Sequence, residues 1–429
     1  MYKFAEVQTA RSHSVEEIAN AGKCRLCNAP LIHNFLDLGM FPLSNAYLKS
    51  KVLSRKEPFY PLRVYVCNEC WLVQLEECES PNIIFSDYAY FSSYSESWLK
   101  HADYYTHTMI ERFQFDQNSQ VIEIGSNDGY LLQYFKRRNI PILGIDPAAN
   151  VAQVAEEKGI PTLVKFFCAK VAKNLVSQGI RADLLLGNNV LPHTPHLNDF
   201  LKGMKILLKP HGVITMEFPH LLRLMMENEF DTIYHEHFSY FSLITVEMAF
   251  AKHGLTLFDV EELQTHGGSL RIYARHSEDG TRPVTNRIRN VKDLEVEAGL
   301  NRLETYSTFE ETVHATKRKL LNFMIQVKEE GKSIVGYGAA AKGNTLLNYC
   351  GIRRDFIDYT VDRNPYKQGR FLPGTHIPIY HPDKIMETKP DYLLILPWNL
   401  KNEIMDQMAY IRHWGGKFVV SIPQVEVIE

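Results

Sequence analysis

The sequence predicts an α/β protein of three modules: a small N-terminal four-cysteine module, a central Rossmann-like domain and a C-terminal Rossmann-like α/β domain. Two Cys-x-x-Cys pairs stand near the start of the chain. A strand, a glycine turn and a helix follow one another from about residue 120, and the same pattern recurs from about residue 333. Strands that alternate with helical segments are typical of parallel, doubly wound sheets.

The composition is that of an ordinary globular protein. The chain has 429 residues, 45% of them hydrophobic, and a formal net charge of −3. Because no basic stripe is present, we expect no nucleic-acid partner. No apolar run approaches the roughly 20 residues that cross a bilayer, and the polar N-terminus does not resemble a signal peptide. We therefore expect a cytoplasmic protein with no membrane partner; the oligomeric state stays open, a monomer included.

Four of the seven cysteines form two tight pairs, Cys24 with Cys27 and Cys67 with Cys70. Each Cys-x-x-Cys turn aims two sulfurs at one point, so the two pairs together predict a closed zinc site. The 39 residues between the pairs exceed the usual spacing, and a redox pair is the alternative. Since a closed site leaves no position open for catalysis, we expect the metal to organise this module.

The first glycine turn lies in VIEIGSNDGYLL, residues 121–132. The strand ends at Gly125, where a backbone can approach a ligand closely, and Gly129 allows tight packing of the helix. The acidic Glu123 and the Gly-x-x-x-Gly spacing suit the cationic S-adenosylmethionine better than a pyrophosphate, and Asp146 stands where a carboxylate takes ribose hydroxyls. A plain turn is the alternative. The candidate cofactor-binding residues are Glu123, Gly125, Asn127, Asp128, Gly129, Asp146, Asn188 and Asn189.

The second glycine turn lies in VGYGAAAKGN, residues 335–344. Backbone N–H groups at a helix start, together with Lys342, form an anion site, which predicts the diphosphate of a sugar nucleotide here. An NAD site is the rival, because Asp362 stands where an acid would bind a ribose; a turn without a ligand is the third option. Lys367 is a further candidate cation. The candidate substrate-binding residues are Gly338, Lys342, Asn344, Arg363 and Arg370.

The segment YHEHFSYF, residues 234–241, carries two histidines around a glutamate. A metal is disfavoured because the His-Glu-x-x-His spacing is missing, and His235 is a candidate for a structural role in the core. A histidine suits the removal of a C–H proton beside a carbonyl, and His237 is the candidate base. Glu236 can orient a ring or bind a hydroxyl, and Tyr234 and Tyr88 can donate to an oxygen on which charge builds.

Taken in order, these motifs resemble the family of S-adenosylmethionine-dependent C-methyltransferases that act on nucleotide-linked deoxysugars. The resemblance covers nearly the whole chain from Cys24 onward and includes the motif NNVLPH, residues 188–193. It implies a zinc-binding domain with an N-terminal extension at 1–80, a methyltransferase domain at 81–295, and a nucleotide-holding domain at 296–429. The functional residues it implies are Tyr88, His193, Tyr234, Glu236 and His237.

The resemblance also implies a reaction, namely methylation of C3 on a 4-keto-6-deoxy sugar attached to a nucleoside diphosphate. The typical nucleotide is thymidine diphosphate, with guanosine diphosphate open. The sequence leaves two alternatives, an O- or N-methyltransferase of nucleotide sugars and a non-catalytic protein that binds zinc and nucleotide.

Overall fold

A computed structural model describes residues 22–85 and 90–429. These residues form one sheet of four strands, one of seven and one of six. Tyr88 and the extension up to residue 21 lie outside the described residues. Among the described helices, none combines the length and the apolar character that crossing a bilayer requires.

The N-terminal module is a small antiparallel sheet carrying the cysteine turns at one end. Its elements are strands β1 His33–Phe41, β2 Tyr60–Val66 and β3 Val73–Leu75, and the short helix α1 Pro81–Phe85. Alternate β2 residues, Leu62, Val64 and Val66, are buried, as expected for a strand with one face on a core.

The central domain contains the first glycine turn, and its elements follow in chain order. The helices are α2 Glu96–Phe113, α3 Leu132–Lys136, α4 Ala149–Glu157, α5 Ala169–Ser177, α6 Leu197–Leu207, α7 Leu221–Met226, α8 Leu243–Lys252 and α9 Asn286–Glu297. The strands are β4 Val121–Ile124, β5 Ile142–Asp146, β6 Thr162–Val164, β7 Ala182–Asn188, β8 Leu208–Pro219, β9 Ser239–Tyr240, β10 Leu255–Leu263 and β11 Ser269–His276.

The seven-stranded sheet has the order β10-β11-β8-β7-β4-β5-β6. Strand β11 runs antiparallel to both neighbours, and the remaining pairs are parallel. The strand order reverses at β4, which lies between β5 and β7, and such a switch point opens a crevice at the carboxyl ends of the strands. The predicted doubly wound sheet is confirmed, and its crevice lies beside the first glycine turn.

The C-terminal domain repeats the doubly wound pattern on a smaller scale. Its helices are α10 Leu303–Ser307, α11 Phe309–Glu329, α12 Ala341–Cys350, α13 Lys384–Thr388 and α14 Lys401–Gln407. Its strands are β12 Ile334–Tyr337, β13 Thr360–Val361, β14 Ile379–Tyr380, β15 Tyr392–Ile395, β16 Lys417–Val420 and β17 Glu426–Ile428. The order is β14-β13-β12-β15-β16-β17, with only the β16–β17 pair antiparallel, so the switch point lies at β12.

The sequence of residues 292–331 predicts a long helical, charged connector to this domain, and the structure divides it into separate helices. Helix α9 ends at Glu297, and Gly299 adopts a left-handed φ of +83° that interrupts the helical path. Helices α10 and α11 then follow as separate pieces. The break lets Phe309 stack on Phe35 of strand β1, with ring centroids 5.0 Å apart, so the connector packs against the N-terminal module.

The three modules are not independent in space. Strand β9, from the central part of the chain, pairs with β3 and completes the four-stranded sheet of the N-terminal module. The largest hydrophobic core joins that sheet to the C-terminal domain, and a second core joins the cysteine turns to the central sheet. The domain boundaries predicted at residues 80/81 and 295/296 stay predictions. Because the hydrophobic cores extend from one module into the next, a boundary at either position separates residues that pack together.

Candidate active site

One cavity of about 650 Å³ receives residues from all three modules. It lies over the carboxyl ends of β4, β5 and β7, and the first turn of helix α12 reaches it from the other side. Residue Asn45 of the N-terminal module, Asp146 of the central domain and Lys342 of the C-terminal domain all line it. The crevice of the central sheet is therefore enclosed by the two flanking modules.

The four paired cysteines converge at one point, as predicted. All four sulfurs lie within 4.8 Å of one another; Cys24 and Cys70 are 3.5 Å apart, and Cys27 and Cys67 are 3.4 Å apart. A tetrahedral zinc with Zn–S bonds of about 2.3 Å needs sulfurs about 3.8 Å apart, so this cluster fits that ion. Gln74, which is fully buried, donates from Nε2 to the Cys24 sulfur over 3.1 Å and supports the ligand set.

The two glycines of the first turn have different uses. A Cβ on Gly125 would lie 2.5 Å from Cγ2 of Val190, and its φ is +68°, so only glycine leaves this edge of the cavity open. A Cβ on Gly129 would lie 2.2 Å from Cδ1 of Ile160. Gly129 does not line the cavity; it permits close packing beneath it, as the sequence predicts.

Asp146 ends β5 and holds the glycine turn in place. Its Oδ2 accepts from the backbone N–H of Asn127 and its Oδ1 from that of Ala148, each over 2.9 Å. Burial raises the pKa of Asp146 to about 6, and these backbone donors oppose the rise. The carboxylate lines the cavity and keeps further acceptor capacity for a diol.

The remaining cofactor candidates divide into two groups. Asn188 and Asn189 line the cavity at the end of β7, and Asn127 lines it while its side chain bonds to Tyr90 O and Ser92 N. Glu123 and Asp128 do not line it. Burial, with the Asp146 charge second, raises the pKa of Glu123 well above its usual range, and Asp128 lies 3.3 Å from the Lys158 ammonium.

The His237 ring is held from both sides. Its Nδ1 lies 2.8 Å from the carbonyl oxygen of Thr232, which only accepts, so Nδ1 carries the ring proton and donates. Its Nε2 therefore carries no proton, and the lone pair of this nitrogen accepts a hydrogen bond from the Tyr234 hydroxyl over 2.9 Å. Burial lowers the pKa of His237 well below its usual range, and the neighbouring His193 is the next largest influence in that direction. The ring is thus a neutral base with Nε2 at the cavity.

Two further predicted residues adjoin this pair. The His193 ring meets the His237 ring edge-on with centroids 4.7 Å apart, and burial lowers the pKa of His193 to about 4. Glu236 accepts from Nδ2 of Asn45 over 2.6 Å. Tyr234, Glu236, His237 and His193 all line the cavity, so the structure brings together every predicted catalytic residue that it describes.

His235 points away from this cluster. Its Nε2 lies 3.1 Å from the carbonyl oxygen of Pro61, and its ring meets Tyr60 edge-on. An extended strand would place His235 and His237 on one side, but the segment turns here, and β9 begins only at Ser239. His235 therefore joins the core between the modules, the structural alternative that the sequence offers for it.

The second glycine turn repeats the hydrogen bonding of the first. Asp362, at the end of β13, accepts from Ala339 N over 2.7 Å and from Asn364 N over 2.8 Å. Unlike Asp146, however, Asp362 has a cation beside it, because the Lys367 ammonium lies 3.7 Å away. Asp362 does not line the cavity, whereas Lys367 does. This arrangement disfavours the NAD alternative, which needs a free acid at this position.

Lys342 is half-buried and lines the C-terminal side of the cavity. Its ammonium donates to Asn399 Oδ1 over 2.8 Å and lies 4.3 Å from the centre of the Trp398 ring. Trp398 in turn donates from Nε1 to Asp231 over 2.8 Å. Burial lowers the pKa of Lys342, and the charges of Asp231 and Glu229 oppose that effect.

The other substrate candidates do not line the cavity. Gly338 has a φ of +94°, and a Cβ there would lie 2.5 Å from Pro397 Cδ, so it serves packing. Asn344 is buried and donates to the Ser44 carbonyl. Arg363 is exposed near Glu96, and Arg370 is half-buried.

The cavity also includes residues that the sequence analysis did not single out. Asn45 forms a hydrogen bond with Glu236, which lies 191 positions later in the chain. His266 forms one with Asn189, which lies 77 positions earlier. Trp98, within an aromatic segment, meets His266 edge-on at 5.1 Å. His266 precedes two consecutive glycines, and that local signal could have drawn attention to it.

The sheet order with its reversed strand, the acid at the end of β5 and the thiolate cluster define an S-adenosylmethionine-dependent methyltransferase with a zinc-binding module. Family models described as a zinc binding domain, a methyltransferase domain and a C-methyltransferase C-terminal domain match residues 24–85, 98–260 and 264–423. The chain is 34% identical to the C-methyltransferase NovU of Streptomyces niveus over 95% of this chain and 96% of that protein. It belongs to this C-methyltransferase family and is an S-adenosylmethionine-dependent C-methyltransferase.

More distant matches cover less than half of this chain. A ubiquinone biosynthesis O-methyltransferase of Rhodopseudomonas palustris is 28% identical over 23% of this chain and 38% of that protein. The magnesium protoporphyrin IX methyltransferase of Synechocystis with bound S-adenosylmethionine is 12% identical, with a TM-score of 0.33 over 42% of this chain and 79% of that one. These likenesses are too distant to assign a substrate.

Proposed function

We propose that this enzyme methylates the carbon next to the ketone, C3, of a nucleotide-linked 4-keto-6-deoxy sugar. The single observation that carries the proposal is the neutral His237 with its Nε2 at the cavity, hydrogen-bonded to a phenol that can also reach a substrate oxygen. A C–H bond becomes acidic enough to break only beside a carbonyl that takes up the charge. Oxygen or nitrogen methylation also releases a proton but requires no neighbouring carbonyl.

In the proposed reaction His237 Nε2 removes the proton from C3, and the electrons of that C–H bond move onto the ketone oxygen as an enolate. Burial raises the pKa of Tyr234 well above its usual range, so Tyr234 stays a phenol. In the proposed reaction its hydroxyl turns from Nε2 to the ketone oxygen when the substrate binds, which frees the Nε2 lone pair for the proton and lets Tyr234 donate to that oxygen. S-adenosylmethionine supplies an activated methyl group on a sulfonium. Holding carbon and methyl group in line then avoids an entropy loss of several kcal/mol, roughly 7 or more in favourable cases.

Glu236 and His193 complete the sugar side of the cavity. Asn45 fixes the Glu236 carboxylate, which can accept from a sugar hydroxyl with its remaining capacity. His193 stays neutral next to His237, which keeps a second positive charge away from the proton acceptor. Tyr88, which lies outside the described residues, remains a candidate second donor to the ketone oxygen.

The diphosphate is proposed to lie at the first turn of α12. Ala340, Ala341 and Lys342 line the cavity there, and helix-start N–H groups with a lysine ammonium attract phosphate oxygens. Lys367 adds a second ammonium within the cavity. Arg363 and Arg370 are proposed to contribute only at the outer rim. Among the described residues no two of the seven cysteines form a disulfide, and we propose a cytoplasmic enzyme, because cysteines stay reduced in that compartment.

The experiment is incubation with S-adenosylmethionine and a thymidine diphosphate 4-keto-6-deoxy sugar that carries deuterium at C3. We expect mass spectrometry to show a product that has gained a methyl group and lost the deuterium. A methylated product that keeps the deuterium would refute attack at C3. The guanosine diphosphate analogue, run in parallel, reports the nucleotide preference.

A further inference from the structure

The turn between β10 and β11 brings an imidazole into the cavity. His266 has a left-handed backbone, with φ at 56°, and Gly267 and Gly268 follow with φ at 96° and 140°. Left-handed backbone is strained for a residue with a side chain and tends to occur at functional sites. The cavity that His266 lines is the one that holds Asp146 and His237.

Within the described parts of the chain, the His266 side chain makes one polar contact, to Asn189, whose backbone is also left-handed with φ at 56°. Nδ2 of Asn189 lies 2.9 Å from Nε2 of His266. Since an amide nitrogen only donates, Nε2 accepts and the ring proton is on Nδ1. Burial, followed by the charge of Lys342, lowers the pKa of His266 to about 3, so the ring remains a neutral acceptor.

This contact fixes which way the Asn189 amide faces. With Nδ2 bonded to His266, the other end of the amide, Oδ1, has no hydrogen-bond partner in the described part of the chain although it is buried. Leaving a buried amide oxygen unpaired costs about 1–3 kcal/mol, so a ligand is expected to contact it. The Asn189 backbone N–H donates to Glu217 O over 2.8 Å and holds the residue in place.

Asn189 follows the end of β7, beside the residue that contacts the first glycine turn. Val190, the next residue, touches the edge that Gly125 keeps open, and Asp146 defines the ribose end of the same crevice. Asn189, Asp146, His193 and His237 line the same cavity. A sulfonium carries a full positive charge and polarises its methyl hydrogens, and an amide oxygen attracts both.

We propose that His266 is a positioning residue that turns the Asn189 amide so that Oδ1 faces the sulfonium and the methyl group to be transferred. His266 itself need not touch the cofactor. The role predicts selectivity between two ligands of nearly the same shape. S-adenosylmethionine has the charged sulfonium, whereas S-adenosylhomocysteine has a neutral sulfur and no methyl group.

The test is calorimetric titration of the zinc-loaded, full-length enzyme with both ligands. His266→Asn tolerates the left-handed backbone but is too short to reach Asn189. We expect it to weaken the binding of S-adenosylmethionine about tenfold relative to the binding of S-adenosylhomocysteine. His266→Gln, whose terminal amide extends as far as Nε2, is expected to restore most of that preference. Equal weakening of both ligands would overturn the proposal, as would unchanged affinity for both.

A double-mutant cycle tests whether His266 acts through Asn189. Asn189→Ala alone should lower the preference for S-adenosylmethionine, and adding His266→Asn should lower it no further. Additive losses would contradict the proposal, as would a folded His266→Gln enzyme, checked by circular dichroism, that restores nothing. Because no sugar substrate enters these titrations, the result is independent of the proposed C3 chemistry.

Discussion

The hydroxyl of Tyr234 donates to Nε2 of His237 over 2.9 Å, while the opposite ring nitrogen donates to the backbone carbonyl of Thr232. This pairing fixes the tautomer without any carboxylate on the ring. A backbone carbonyl orients the ring but adds no negative charge, so the imidazole keeps its lowered pKa. The base is therefore uncharged throughout the neutral pH range.

Replacement of His237 by asparagine should abolish solvent exchange at the substrate carbon. Asparagine is similar in size but cannot accept a proton near neutral pH, and a positioned general base contributes about 10² to 10⁴-fold. We expect methylation to fall by that factor, with both ligands still binding. Proton NMR in deuterated buffer follows the exchange, provided that enolization is reversible.

His235→Asn is the matched control, because His235 lies two positions away and faces Pro61 instead of the cavity. It should lower the melting temperature but leave exchange per folded molecule near the wild-type rate. If His237→Asn keeps wild-type turnover, the assigned base is wrong.

The pH–rate profile should be level across neutral pH. Burial lowers the pKa of His237 below the usual value of about 6.5, and the neutral form is the active one. As pH falls, activity should therefore persist through pH 6.5 and decline only at lower values. Measurement of kcat/KM between acidic and alkaline pH checks this. A rate that instead climbs into the alkaline range would indicate a phenolate base, with Tyr88 the first candidate.

Asp146 and Asp362 form a natural comparison, since each holds a glycine turn through two backbone N–H groups. Asp146→Ala should weaken the binding of S-adenosylmethionine by about 2 kcal/mol, roughly thirtyfold in affinity, because hydrogen bonds to the ribose are lost. Asp362→Ala removes a similar carboxylate outside the cavity and should leave that affinity nearly unchanged. Titration calorimetry on both variants measures their affinity for S-adenosylmethionine. Equal losses would show that the effect of Asp146→Ala is not specific to the proposed ribose site.

The thiolate cluster should hold about one zinc per chain. Replacing any one of its cysteines with serine should remove most of the roughly 10 kcal/mol or more that a structural zinc contributes to folding. Cys78→Ser is the control, because that thiol belongs to the same module but lies outside the cluster. Elemental analysis and thermal melting give the readout. Freshly purified wild-type protein without zinc would contradict the assignment.

Local patterns predicted much of this molecule. The paired cysteines, the two glycine turns and the strand ends at Asp146 and Asp362 are each encoded within a few residues. Helix α2 illustrates this: Ser95 accepts from Trp98 N at its start, and Gln114 adopts a left-handed conformation at its end. Such signals need no knowledge of distant contacts.

What the sequence could not predict depends on the tertiary arrangement. The orientation of His235 follows from Pro61, which lies 174 positions earlier, and the environment of Glu236 follows from Asn45. The predicted helical connector is divided because Gly299 breaks it, and the break is stabilised by packing of Phe309 on Phe35. Arg363 and Arg370, which the sequence analysis names as candidate substrate-binding residues, do not line the cavity.

The pairing of β3 with β9 has a consequence for the newly synthesised chain. The cysteine ligands emerge first, but their sheet lacks its fourth strand until Ser239 and Tyr240 have been made. The same strand begins two residues after His237, so the sheet is completed by the segment that carries the proposed base. Domains generally fold as units during synthesis, N-terminal first. Here the sheet of the first module cannot be completed until the chain has been made as far as Tyr240.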